Sequence, residues 1–422
     1  VSSTGPDKRV RSATTPTSRP SPAALLYALF FSLILGSCAI QLQAPQPATT
    51  AVAGGVIRLE PLSYWPRWVL WTLFWWQDLE DRFPLESGIS LHRITYWSES
   101  THGALQPASG LLALPGGRAP WKGTVSWQHG TATLRTDAPS APSLYNGVLA
   151  AAIFAGAGYV LVAPDYPGFG ASVEPHAYYH SPSIVASVTN LLKATAAVLE
   201  DHPRQASERL FLTGFSQGGH ASLAAHQELE RNPVAGYQLT GSASIAGPMN
   251  LADVQIRNAL KGGSKLGSLY IAWVAVSYAR VYDKPIEEVL VSPWNRIATT
   301  LFDGTHDGAE IVASLPDKPA DLLTLEVSAA LDGSHKHWFV ERLRDNGIVP
   351  WTVSAPLRAY FGEKDVDVTP TDVLEWATTA KAAQVPFSVV NLGAFDHDRS
   401  ILAAAPDVLN WFNSMSEPPA PL

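Results

Sequence analysis

RLFLTGFSQGGHASLAAH, residues 209–226, moves from a strand pattern to a helix pattern within a few residues. Leu210, Phe211 and Leu212 form the apolar run, Gly214-Phe215-Ser216-Gln217-Gly218 interrupts it, and an alanine-rich helical stretch follows at once. In a G-x-S-x-G turn the serine sits where the chain reverses so tightly that flanking side chains would collide, so both flanks lack a Cβ. The serine hydroxyl is thereby presented at the end of a strand. The five-residue pattern is common by chance. Its meaning depends on its place between strand and helix, and on a carboxylate, a histidine and backbone donors elsewhere.

Composition sets the frame. The chain has 422 residues, a net charge of −8, one cysteine and two methionines, and only 16% charged residues against 33 prolines and 14 tryptophans. This length suits one large α/β domain or two smaller ones. The acidic balance argues against a nucleic-acid partner, which calls for a clustered basic face. A single cysteine excludes an internal disulfide framework and a cysteine-based metal cluster.

That cysteine follows a distinctive leader. Lys8, Arg9, Arg11 and Arg19 precede an apolar run from Ala23 to Leu35, which ends in Leu35-Gly36-Ser37-Cys38. The run is too short for a bilayer span but fits the apolar region of a secretory signal. The segment resembles the signal peptide of bacterial lipoproteins. The resemblance implies removal of residues 1–37, acylation of Cys38, and export to the periplasmic or cell-surface side of a membrane. Residues 38–60 then read as the lipidated cysteine and a flexible tether. Residues 61–87 read as a tryptophan-rich helix centred on YWPRWVLWTLFWWQDLEDRF, either packed on the protein or lying in a lipid interface.

From residue 88 the chain alternates strands and helices. LHRITYWSES, SGLLALP, GTVSWQHGT and GYVLVAPDYPG read as successive strands, the last apolar throughout. Such runs, separated by helical stretches such as residues 144–155, predict an α/β core with a mostly parallel central sheet and helices on both faces. After GSASIAGP the alternation lapses, and residues 249–352 read as helices rich in Tyr270, Trp273, Tyr278, Trp338 and Phe339. The sheet pattern resumes at APLRAYFG. The core is thus expected over 88–248 and 353–422, with 249–352 as a helical cap whose aromatic load suits an apolar substrate.

A serine hydroxyl needs a base within hydrogen-bond reach and a carboxylate to orient that base. In the α/β-hydrolases, whose serine elbow this turn resembles, the partners follow in the order acid, then histidine. AYFGEKDVDVTP offers Asp365 just past an apolar strand, with Asp367 as its competitor. VVNLGAFDHDRS offers His397 in the loop after the last strand, flanked by Asp396 and Asp398. His129, His176, His220 and His226 compete for the role of base, but none follows a terminal strand. For the oxyanion, one N–H is expected from Gln217, the residue after the nucleophile, and a second from WQHGTAT, at Thr131 with Gly130 as the alternative. The Asp365/Asp367 pair, two carboxylates without further oxygen ligands, is too small a set for a metal site.

VSWQHGT, VLVAPDYPGFGAS with PHAYYH behind it, GFSQGGHASLAAH, and GEKDVDVTP followed by FDHDRS together resemble the secretory lipases of the α/β-hydrolase superfamily, bacterial esterases similar to fungal secreted lipases. The likeness spans roughly residues 88–414. It implies an α/β-hydrolase fold with a lid at 249–352, hydrolysis of small-molecule or lipid carboxylic esters without a cofactor, and Ser216, Asp365 and His397 as the triad. A peptidase or acyltransferase on the same fold is the nearest rival, with Glu287, Glu288 or Asp317 available to hold a substrate's amino terminus. A non-catalytic surface lipoprotein would be expected to carry a broken triad.

Overall fold

A computed structural model describes Leu42 and residues 51–141, 144–204 and 207–416. The leader, Cys38 and most of the expected tether lie outside the described residues. Residues 40–422 form one compact unit. The described strands are β1 (Val56–Trp65), β2 (Ile89–Glu99), β3 (Leu105–Pro115), β4 (Thr124–Gln128), β5 (Val160–Pro164), β6 (Arg209–Phe215), β7 (Gln238–Ile245), β8 (Leu357–Phe361) and β9 (Phe387–Asn391). They pair in the order β1-β2-β3-β5-β4-β6-β7-β8-β9. The pairs from β1 to β5 are antiparallel, and those from β5 through β4 to β9 are parallel.

The helices of the core are α1 (Arg67–Trp76), α2 (Leu149–Phe154), which continues a π-helical turn at Leu144–Val148, α3 (Ser181–Leu199) and α4 (Gln217–Arg231). The inserted region contributes α5 (Ile256–Leu260), α6 (Gly267–Val281), α7 (Trp294–Leu301), α8 (Gly308–Ala313), α9 (Leu325–Leu331) and α10 (Trp338–Asp345). The chain returns to the core with α11 (Pro370–Ala382) and α12 (His397–Ser416).

Strand alternation divides the apolar side chains between two layers. Leu210 and Leu212 of β6 pack with Val188, Leu191 and Leu192 of α3 and with Leu229 of α4. Phe211, between them in sequence, joins the opposite layer with Leu70 and Phe74 of α1, Phe154 of α2 and Phe412 of α12. Both faces of the central strands are therefore covered, which explains why β4 and β5 are buried at every position. Helix α3 has the length and apolarity of a membrane span, but Ile184, Val188, Leu191 and Leu192 are fully buried inside the protein.

Two boundaries differ from the sequence expectation. The tether expected to run to residue 60 ends earlier, because β1 begins at Val56 and pairs with the edge of β2. Its Pro61 sits beside a register shift on an edge strand, a position where proline's missing N–H is tolerated. The helix expected within 61–87 is confined to 67–76: Trp65 still belongs to β1, and past Trp76 the chain breaks at Asp78, whose φ is 54°.

The inserted region is helical, and it builds its own core around α6. Of the residues of that helix, Ile271, Ala272, Trp273, Ala275 and Tyr278 are at most 2% exposed. A helix apolar nearly all round must be buried on all sides. Here the walls are the neighbouring cap helices, with Leu290, Leu322, Val327 and Phe339.

Candidate active site

Ser216 occupies the turn between β6 and α4 with φ 57° and ψ −120°. A methyl group added at Gly218 would overlap the Gln128 carbonyl, and one at Gly214 would overlap Gln128 and Gly218. Close passage of the β4 end past the turn thus explains both glycines. The Ser216 N–H donates to Ile245 O of β7 at 2.9 Å. The serine is pinned on three central parallel strands, at their carboxyl ends, where open α/β sheets place their sites.

His397, the first residue of α12, comes to the same edge from beyond β9. Its Nε2 lies 2.9 Å from Ser216 Oγ and its Nδ1 lies 2.7 Å from Asp365 Oδ2. The other carboxylate oxygen of Asp365 accepts the N–H groups of Asp367 (3.0 Å) and Val368 (2.8 Å). Ser216, Asp365 and His397 are 6%, 4% and 6% exposed, so water competes little for these contacts. Burial alone would lower the His397 pKa. The hydrogen bond to Asp365 and the charges of Asp365, Asp367 and Asp398 outweigh it and raise the imidazole above the ordinary 6.5.

The competing acids are engaged elsewhere. Asp367 accepts the hydroxyls of Ser264 and of Tyr270, the latter at 3.5 Å. Asp396 accepts the Arg399 N–H at 3.0 Å in the first turn of α12. Asp365, Asp367 and His397 have ligand atoms within 4.8 Å of one another. The ring nitrogens of His397 and the oxygens of Asp365 are already spent on the contacts just described, so the trio is a poor cation site.

The other histidines serve the scaffold. His129 is fully buried and stacks on Tyr166 at 4.1 Å; burial holds its pKa down to about 4. His220 lies with Nδ1 2.9 Å from Pro248 O and Nε2 3.1 Å from Ser181 Oγ, and burial takes it to about 4 as well. His226 Nδ1 is 2.7 Å from Ser242 Oγ. His176 has a more telling position. Its Nδ1–H donates to Pro167 O at 2.7 Å, so its Nε2 is left as the acceptor for Gln217 Nε2 at 2.8 Å. Burial lowers its pKa to about 3 and keeps it neutral for that task. The side chain of the residue after the nucleophile is thereby fixed by a histidine 41 positions earlier, a contact that sequence spacing does not reveal.

Gln217 opens α4, where backbone N–H groups have no helical acceptor and are free for a ligand. The loop after β4 passes over the nucleophile: a Cβ built on Gly130 would lie 3.8 Å from Ser216 Cβ. Thr131 follows, its hydroxyl 2.9 Å from Tyr178 OH. The structure thus brings Gln217 and Gly130 beside Ser216, with Thr131 next along the loop. Behind them Asp165, fully buried, accepts Ser109 Oγ, Ser140 Oγ at 2.6 Å and Ser140 N at 2.8 Å, tying the loops after β4 and β5 to β3.

A cavity opens at Ser216 and runs under the cap. Leu251, Ile256, Ile271, Val274 and Leu343 line it from the cap, and Tyr178 and Tyr179 from the core. The ring of Tyr178 stacks on Trp273 at 4.6 Å, which stacks on Phe302 at 5.1 Å. Asp367 is the one acidic residue on the wall. Glu287, Glu288 and Asp317, the sequence candidates for holding an amino terminus, are exposed and do not line it.

An elbow serine on β6, an acid after β8, a histidine after β9 and a helical insertion after β7 decide the architecture. The chain has the α/β-hydrolase fold. Residues 145–321, under half of the chain, match the family described as serine aminopeptidase, S33. No curated protein matches the chain. Among solved structures it is similar to a protein of Legionella pneumophila (23% identity, TM-score 0.79, covering 87% of this chain and 100% of that one). It is also similar to the rice cell wall degrading esterase LipA from Xanthomonas oryzae (21% identity, TM-score 0.72, 86% and 97%). Candida antarctica lipase A in its closed state is more distant (14% identity, TM-score 0.60, 86% and 85%). The structural likenesses support the fold, and the partial family match together with the elbow supports a serine hydrolase.

Proposed function

We propose that the chain is a serine carboxylic-ester hydrolase acting on esters with an apolar acyl group. Ser216 Oγ attacks the ester carbonyl while His397 Nε2 takes its proton, and Asp365 holds the imidazole in the tautomer that can accept it. The tetrahedral oxyanion is received by the Gln217 N–H and by an N–H of the loop after β4, from Thr131 or Gly130. The alcohol departs with the proton from His397, leaving an acyl-Ser216 ester. Water then attacks that ester with His397 again as base, releasing the acid and restoring Ser216.

The observation that carries this reading is the apolar cavity joined to Ser216 under the cap. An aminopeptidase, the reading favoured by the partial family match, needs a free carboxylate for the substrate's ammonium group. Asp367 is the one carboxylate that reaches the mostly apolar cavity wall, and its Oδ1 already accepts from Ser264 and Tyr270. The test is a series of p-nitrophenyl esters from acetate to palmitate beside aminoacyl p-nitroanilides, with Ser216→Ala as the control. We expect Ser216-dependent rates that peak at medium or long acyl chains. Anilide cleavage exceeding ester cleavage would move the assignment to a peptidase.

Export and attachment to a membrane through acylated Cys38 complete the proposal, supported by the basic leader, the apolar run and the Leu-Gly-Ser-Cys ending. Mass spectrometry of the mature N-terminal peptide checks it. An unmodified Cys38, or a leader left in place, contradicts it.

A further inference from the structure

Helix α1 divides its residues by face. Val69, Leu70, Leu73 and Phe74 are buried, and the last three join the core layer shared with α2 and α12. Trp68, Trp71, Trp75 and Trp76, at the spacing of one helical stripe, are 58%, 51%, 55% and 38% exposed. The rings of Trp71 and Trp75 stack at 6.5 Å with 13° between their planes. Between Arg67 and Asp78 the sequence contains no charged residue, and beyond it Asp78, Asp81 and Arg82 form an exposed polar margin. The proposed reaction uses none of this surface.

We propose that this face seats in the headgroup–acyl boundary of a phospholipid bilayer. Every large side chain on the outer stripe is an indole, which combines a flat apolar body with one N–H donor, and tryptophan concentrates where a bilayer meets water. A stripe of this kind needs no complementary groove. A second copy of the chain is a poorer occupant: a ten-residue helix is about 15 Å long and offers much less than the roughly 800 Å² per partner of a stable interface. The chain order agrees with a membrane. Residues 39–55 separate the candidate acylation site at Cys38 from β1, which leads directly into α1. An inserted aromatic face beside an acylated Cys38 would be a second point of attachment on the same membrane and would set how the catalytic unit faces it. With Arg67 the one cation on α1 and a net charge of −8, insertion rests on the indoles and not on attraction to anionic lipid.

Residues 40–422 contain every described helix and strand and lack both Cys38 and the leader, so they test the tryptophan face apart from the anchor. They are sedimented with sucrose-loaded phosphatidylcholine vesicles, as wild type and with Trp68, Trp71, Trp75 and Trp76 all changed to Gln. The expected result is vesicle binding that falls about tenfold or more in the variant, does not weaken as salt is raised, and comes with quenching by lipid brominated near the headgroup end of its chains. Unchanged hydrolysis of a soluble butyrate ester shows that the variant is folded; if it is not, Trp71→Gln with Trp75→Gln replaces it. Equal binding of wild type and variant, no binding of wild type, or a dimer in wild type that the variant loses would each overturn the proposal.

Discussion

His397 lies between two partners whose demands differ. Asp365 must keep Nδ1 protonated so that Nε2 can accept from Ser216, and the same carboxylate raises the imidazole's pKa. Only neutral His397 is a base, so kcat/KM should rise with pH along a limb centred above 6.5. In Asp365→Asn that limb should move down, because the charge that raises the pKa is gone, and kcat should fall by about 10³–10⁴ through loss of the correct tautomer. A pH–rate profile of both proteins checks the two effects together. His176 acts one step further out, as a positioning residue for Gln217. In His176→Leu we expect kcat about tenfold lower with KM nearly constant and the acid limb unmoved, and recovery in His176→Gln, whose carbonyl oxygen can accept from Gln217. At this scale the hydrogen-bonded trio of Ser216, His397 and Asp365 was legible, because each residue follows an apolar strand in the chain order that α/β-hydrolases use. The His176–Gln217 contact was not, since it depends on how the loop after β5 folds back over the elbow.

Between elements, the decisive joint is the root of the cap. Asp372 of α11 is 1% exposed and receives the N–H groups of Met249 (2.7 Å) and Asn250 (2.9 Å) and the side chain of Gln255 (2.6 Å). Burial raises its pKa, and these three donors oppose the rise. The start of the cap is thereby clamped to the helix that follows the acid loop. Asp372→Ala strands two backbone donors and should cost about 2–4 kcal/mol. Limited proteolysis should then cut first within 249–352, before global unfolding; cleavage spread evenly over the chain would show that the clamp is not local. Sequence reading placed the cap and most strands, because their apolar runs have clear periods. It misplaced 56–65, where Pro61 hides a strand that exists only because the β2 edge is there to pair with it. It also overextended α1, since tryptophans on an outer stripe look the same in sequence as tryptophans in a core.

The whole molecule carries a pH liability in its buried histidines. His129, His176 and His220 are buried and neutral, with pKa values near 4, 3 and 4. The unfolded chain takes up protons near pH 6.5 that the folded chain refuses. Stability is therefore full above 6.5 and is lost as pH falls, by about 1.4 kcal/mol per pH unit for each such histidine. Urea midpoints between pH 7 and 4.5 should drop accordingly, and His220→Gln should flatten the slope; a midpoint independent of pH would contradict these burials. In the proposed reaction the nucleophile is Ser216, which the structure buries beneath an apolar cap. The most direct test of that account is labelling of the folded protein with a fluorophosphonate, followed by peptide mapping. One covalent adduct is expected, on Ser216, formed far more slowly in Asp365→Asn and absent in Ser216→Ala. Labelling elsewhere, or none in folded wild type, would contradict it.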